Sequence, residues 1–206
     1  LGYRASYKIF ESLTWNAFGG IINQWRVQSL GLPPISAIQS QNTNFIVKAS
    51  VPFSAMWSPS FVPKPSDWPS QCKVVGAFVT DQKHSFDKSL FSATKEWIDK
   101  GEKPVYVGFG SMVINNPARL VAMICSAAEQ TGTRIILQSN WTTLEADQSK
   151  KDILHTIGPC PHDWLLPQCA AVVHHGGAGT VAAGLRFGLP TFVCPFFADQ
   201  FMWGHF

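Results

Sequence analysis

Residues 170–193 constrain the fold more tightly than any other part of this 206-residue chain. An apolar β-rich run, 170–174, leads into His175-Gly176-Gly177-Ala178-Gly179, then a helical stretch from about Thr180 to Phe187 that stops at Gly188. A second β-rich run, 190–193, follows at once. Strand, glycine turn, helix and strand in so short a space form a crossover unit, whose two strands must lie parallel. The same alternation comes before it. Residues 105–109 read as a strand that breaks at Gly110-Ser111, and 117–130 as a helix with Pro117 in its first turn. Residues 134–138 and 153–157 read as strands. The expected class is α/β, with a doubly wound parallel sheet.

The first 58 residues have a different pattern. Phe10, Leu13, Ala17 and Ile21 recur at helical spacing, and Trp15, Phe18, Ile22 and Trp25 fill a second face. A helix apolar on most sides is expected to pack inside something larger. It should end near Gly31, because Pro33 and Pro34 cannot continue it. Residues 51–57 read as a short strand. One helix and one strand cannot close a core, so 1–58 reads as the tail of an N-terminal domain. Pro59, Pro63, Pro65 and Pro69 then mark 59–80 as a stiff, extended connector. Residues 81–206 form the Rossmann-like sheet domain, which is expected to be cut short.

Composition removes several function classes. At 46% hydrophobic and 14% charged residues the chain can bury a core. The net charge of +3 comes from scattered lysines and arginines, which argues against a nucleic-acid partner. Cys72, Cys125, Cys160, Cys169 and Cys194 are an odd count without framework spacing, and read as free thiols in a reducing compartment. No stretch approaches the roughly 20 apolar residues of a membrane span. A cytoplasmic protein is expected. The chain starts at Leu1, so targeting signals or membrane-contacting segments outside it stay open.

In a doubly wound sheet, ligands bind beyond the carboxyl ends of the strands. There the glycine cluster lets backbone approach a ligand, and the amides opening the next helix make an anion site, usually for phosphate. Thr180 can cap that helix, and His175 adds a side-chain donor. An ordinary capped turn is the simpler alternative. The cluster is not the dinucleotide fingerprint, since Gly108-Phe109-Gly110 supplies only two glycines, and no Gly-Lys-Ser/Thr occurs. Cys160, His162, Cys169, His174 and His175 match no common zinc spacing, so no metal is expected. Asp199-Gln200, just past the last strand, offers a carboxylate and an amide suited to a hexose edge.

The run 174–203, HHGGAGTVAAGLRFGLPTFVCPFFADQFMW, resembles the donor-binding signature of nucleotide-sugar glycosyltransferases with the two-domain GT-B fold, nearest to the sterol 3-beta-glucosyltransferases. The segments WRVQSLGLP (25–33), VPKP (62–65), DWP (67–69) and VYVGFGSM (105–112) agree with that likeness. The resemblance implies that Ser111, His175, Gly177, Ala178, Gly179 and Thr180 meet the donor diphosphate. It also implies that Asp199 and Gln200 hold the sugar, and that Cys160, Pro161 and His162 lie at the uracil pocket. Where plant secondary-product enzymes place a stacking tryptophan before that loop, this chain has Ile157. The implied reaction is metal-free, inverting transfer of a hexose from UDP-glucose, a co-substrate, to a sterol 3β-hydroxyl. The general base is expected upstream of Leu1, so no catalytic residue is assigned here. Transfer to another lipophilic aglycone, or a non-catalytic nucleotide-sugar-binding fragment, stays open beside it.

Overall fold

The computed structural model describes residues 2–37, 52–78, 86–138 and 150–206. The chain divides into two compact units, Leu1–Gly76 and Ala77–Phe206.

The first unit opens with helix α1, Gly2–Leu30, and turns at Gly31, whose φ of 64° ends the helix in the left-handed region. Arg26 seals that end by donating to the Pro33 carbonyl, and the Asn23 side chain both donates to and accepts from Ile35. A helix apolar on most sides needs a surface to cover it, and within this chain the apolar side chains of α1 stand open. Phe10, Leu13, Ile21 and Trp25 on α1 are all more than half exposed.

Strand β1, Phe53–Ala55, pairs in parallel with β2, Cys72–Val74. The connector expected to run extended therefore folds back on itself over its first half. Trp68 holds this crossover by edge contacts with Phe53 and Trp57, each at 6.1 Å between ring centroids. Trp57 Nε1 donates to Val62 O and Lys64 Nζ to Pro69 O, so side chains replace the backbone pairing that prolines cannot make.

The second unit holds a five-stranded parallel sheet. Its strands are β3 Val105–Gly108, β4 Ile135–Gln138, β5 Leu154–Ile157, β6 Ala171–His174 and β7 Thr191–Val193. Their spatial order is β5-β4-β3-β6-β7. The helices are α2 Ser92–Asp99, α3 Pro117–Thr131, α4 His162–Leu165, α5 Ala178–Arg186 and α6 Gln200–His205. Strand side chains alternate between the two faces. Tyr106, Ile136 and Val172 pack with Ile98 of α2, Leu165 of α4 and Ala183 of α5 on one face. Val107, Leu137 and Ile135 pack with Cys125 and Ala128 of α3 on the other. Burial on both faces explains why the central strands β3, β4 and β6 are short, mainly apolar runs, while the edge strand β5 carries His155 and Thr156.

Three helices were not read from the sequence, α2, the single turn α4 and the terminal α6, and the first two lie on the first face. Arg134 anchors α2 by capping the carbonyls of Trp97, Ile98 and Glu102 while its guanidinium stacks 3.8 Å from the Trp97 ring. No helix among the described residues is long and apolar enough to cross a membrane.

Candidate functional site

The strand order fixes where a ligand can sit. From β3 the chain winds outward through β4 to β5, then returns to the other side of β3 to place β6 and β7. The switch point lies between β3 and β6, where Gly108 and His174 are register partners at the strand ends. The loops that start there carry Ser111 and His175. Those after β5 and β7 carry residues 160–162 and Asp199. All the sequence-predicted site residues thus lie along one carboxyl edge, a row about 19 Å long at four strand spacings.

His175 occupies a slot that only glycines leave open. A Cβ on Gly110 would lie 3.0 Å from its Cε1, and one on Gly177 only 2.5 Å from its Nε2. Gly110 also has φ 58°, so a side chain there would be strained as well as crowded. The ring is half-buried, and its Nδ1 is buried without a hydrogen-bond partner. Burial lowers its pKa, while the nearby Gly108 backbone and the Asp199 carboxylate pull it back up. His175 is therefore a neutral donor at neutral pH, with an anionic neighbour already close.

Beside it, α5 begins without a side-chain cap. Gly177 is the N-cap, and its carbonyl takes the amides of Thr180 at 2.9 Å and Val181 at 3.0 Å. This corrects the expected start: Thr180 stands in the first turn of α5 and does not cap it. Ala178 and Gly179, both exposed, supply the amides that the helix itself cannot use. Their N–H groups and the positive end of the helix dipole favour an anion in front of His175. Ser111 is exposed on the facing loop, where Met112 N donates to Phe109 O across a tight turn.

Asp199 and Gln200 separate in role. Asp199 is exposed, with Oδ2 accepting from Trp203 Nε1 at 2.7 Å, so one carboxylate edge is held and the other faces outward. Ala198 before it has φ 55°, a left-handed conformation uncommon for a side-chain-bearing residue. Gln200 is only 4% exposed. Its Oε1 accepts from Phe196 N at 2.7 Å and Phe197 N at 3.1 Å, and its Nε2 donates to Met112 Sδ at 3.5 Å. In this structure the glutamine side chain ties the loops after β7 and β3 together instead of pointing outward.

The loop after β5 turns inward too. Pro161 caps α4, and His162 Nε2 lies 3.3 Å from Tyr106 Oη, which donates to Gln138 Oε1. Burial lowers the His162 pKa and pushes the Cys160 thiol up to about 12. Tyr106, only 2% exposed, has its hydroxyl pKa raised by the same cause. Ile157 belongs to the core and offers no stacking face. The sequence reading missed Tyr106, Gln138 and Met112. A tyrosine inside an otherwise apolar strand was the available signal, since a buried hydroxyl needs a partner. A cavity of about 320 Å³ lined by Phe86, Lys88, Asp163, Trp164, Pro167 and Gln168 lies beside α4 and contains none of the predicted site residues. Among the described residues no group of three or more His, Cys, Asp or Glu could hold a metal ion.

Comparison with known proteins meets this geometry. Residues 123–205 match the family described as erythromycin biosynthesis protein CIII-like, C-terminal domain. A sterol 3-beta-glucosyltransferase of Arabidopsis thaliana is 39% identical over 203 residues, covering 98% of this chain and 31% of that protein. Over nearly its whole length the chain is similar to sterol 3-beta-glucosyltransferases. A second sterol 3-beta-glucosyltransferase, from Emericella nidulans, is 36% identical over 97% of this chain and 14% of its own length. The chain thus spans about a third of the plant relative and about a seventh of the fungal one.

Solved glycosyltransferase structures share its fold, the GT-B type. The glycotransferase of kitacinnamycin superposes with a TM-score of 0.66 at 17% identity, over 99% of this chain and 51% of that one. A UDP-glucose: anthocyanidin 3-O-glucosyltransferase in complex with UDP gives 0.52 at 21% identity, over 65% and 32%.

Proposed function

We propose that this chain binds the donor for a UDP-glucose-dependent glucosyltransferase that acts on the 3β-hydroxyl of a sterol. The observation that carries the reading is the His175 ring seated between Gly110 and Gly177 beside the uncapped start of α5. That arrangement puts a neutral imidazole donor and free helix amides where a diphosphate would lie at the switch point. Asp199, on the loop of the adjacent strand and close enough to affect His175, is the group the proposal gives to the sugar hydroxyls. The names of the relatives support the sterol and the glucose.

In this reading the acceptor oxygen attacks the anomeric carbon as the bond from that carbon to the diphosphate oxygen breaks. UDP leaves with the electron pair, and configuration inverts. The acceptor proton passes to a base that the proposal places outside Leu1–Phe206. This chain stabilises the charge that grows on the leaving phosphate through His175, Thr180, Ser111 and the amides of Ala178 and Gly179. Those groups are donors or a helix dipole, so the proposal gives no step to a metal. The match to the erythromycin-type family favours a second reading, with another lipophilic aglycone as acceptor.

The test uses the complete gene product that carries this chain, with labelled UDP-glucose and, in parallel, ergosterol and a macrolactone. Steryl glucoside should form. A hydrogen bond to a charged group is worth about 1.5–3 kcal/mol, so His175→Ala should weaken UDP binding about ten-fold or more. Asp199→Ala should lower turnover while UDP itself binds nearly as before. Product from the macrolactone alone would move the acceptor to the second reading. Unchanged UDP affinity in His175→Ala would remove the diphosphate from this site.

A further inference from the structure

We infer that His174, the first histidine of the pair, is a positioning residue that sets the turn in front of the diphosphate; this rests on the donor-site reading above. His174 is fully buried at the end of β6 and touches no open surface. Its Nδ1 accepts from the Gly176 amide at 2.9 Å, two residues further along the chain. In a neutral ring the proton then sits on Nε2. That Nε2 is itself buried and has no hydrogen-bond partner.

The two ends of the ring point to the same conclusion. An orphaned buried donor is destabilising, so a ring selected for packing alone would be better replaced by an apolar side chain. The acceptor end does something that no apolar side chain can do. It takes up the Gly176 N–H at the point where strand geometry gives way to φ 90°. Gly176 has no slack there, since a Cβ would meet Val193 Cγ1 at 2.7 Å and Gln200 O at 3.1 Å. The His174 carbonyl meanwhile accepts from Cys194 N at 2.8 Å and locks the residue to β7. With its backbone fixed by the sheet and its ring bonded to Gly176, His174 transmits the sheet's position to the turn. The turn in turn sets His175 in its slot and aims the Ala178 and Gly179 amides outward. Burial, with His175 and His162 nearby, pushes the His174 pKa down to about 4, which keeps Nδ1 an acceptor at neutral pH.

Three variants of the complete gene product separate the acceptor from the bulk. His174→Asn keeps an acceptor at the Nδ1 position and can form the same bond to the amide two residues on. His174→Gln keeps polarity but shifts the amide to the Nε2 end, and His174→Leu keeps only volume. UDP affinity is measured by calorimetry, and KM for UDP-glucose and kcat by product formation. Leu and Gln should each weaken UDP and raise KM for UDP-glucose about five- to ten-fold, and Asn should stay within about three-fold of the parent, as expected for the loss or retention of one hydrogen bond. Should the leucine variant not fold, the contrast of asparagine with glutamine decides alone. Equal affinities in all three would overturn the inference, as would asparagine failing as badly as glutamine. Val172→Ala, a core substitution on the same strand, measures what lost stability does without touching the turn. His175→Ala separates the two levels. If it weakens UDP while His174→Gln does not, only the positioning role fails; if it has no effect, the donor site itself is misplaced.

Discussion

Two helices begin at the carboxyl edge of the sheet, one after each strand that flanks the switch point, and they begin in opposite ways. Helix α3 is sealed: Asn116 Oδ1 accepts from Arg119 N at 3.0 Å, and Pro117 removes an N–H that would otherwise need a partner. Helix α5 is open: Gly177 caps it with backbone alone, and the amides of its first two residues have no side-chain acceptor. The two helices share a sheet and an equivalent place in their crossovers. The difference is therefore local chemistry, a side-chain oxygen at one N-cap and none at the other. A helix start supported by its own side chain is a structural joint. One left open beside a histidine and opposite an exposed serine is where the proposal seats the donor diphosphate.

Acid should break the comparison most strongly. The turn leading to α5 contains His174 and His175, both with lowered pKa values, whereas the start of α3 is built from Asn116, Pro117 and backbone. For His174 the folded pKa of about 4 lies below the unfolded value of 6.5, so the unfolded state takes up the proton first. Its contribution is fully present above pH 6.5 and is lost as pH falls toward 4, up to about 3 kcal/mol at the end of that window. His155 and His162, also lowered, act in the same direction. Hydrogen exchange at pH 7 and pH 4.5 should show residues 171–186 losing protection before 117–131. Loss at the same pH in both segments would mean that the histidines do not govern the turn.

A methyl group tests the slot. Gly177→Ala would put a carbon 2.5 Å from His175 Nε2, so the ring or the turn must move. UDP affinity should fall about ten-fold, comparable to losing the ring's own bond. An alanine variant that binds UDP normally would show that His175 need not lie between the two glycines.

The sealed helix supplies the smallest effect. Asn116→Ala should cost about 1 kcal/mol of stability in urea denaturation, the usual value of an N-cap, and leave UDP affinity unchanged. If UDP binding weakens instead, the α3 start belongs to the site and the contrast with α5 is lost.

What the sequence determined by itself was whatever depends on neighbours a few residues apart. Apolar periodicity gave the strands of the sheet to within about a residue, and Pro117 gave the start of α3. Gly176, Gly177 and Gly179 marked the turn between β6 and α5, because backbone freedom is written in the residue type. The start of α5 was misplaced since two candidates compete locally. Thr180 looks like a cap, but hydrogen bonding begins at the Gly177 carbonyl once the turn is held from below. For α1 the helical pattern shows which residues are apolar and does not supply the surface that covers them.

Only tertiary structure decided which loops meet. Gly110 and Gly177 leave room for one imidazole because β3 and β6 are adjacent, and strand adjacency follows from how the whole sheet buries its faces. The same holds for the polar side chains that proved to be internal. Gln200 faces two unpaired amides at 196 and 197 and Met112 across the edge, and His162 faces Tyr106. A buried amide or imidazole bonds to whichever unpaired group folding brings within about 3 Å. The sequence names the groups that need partners, and the strand order supplies the partners.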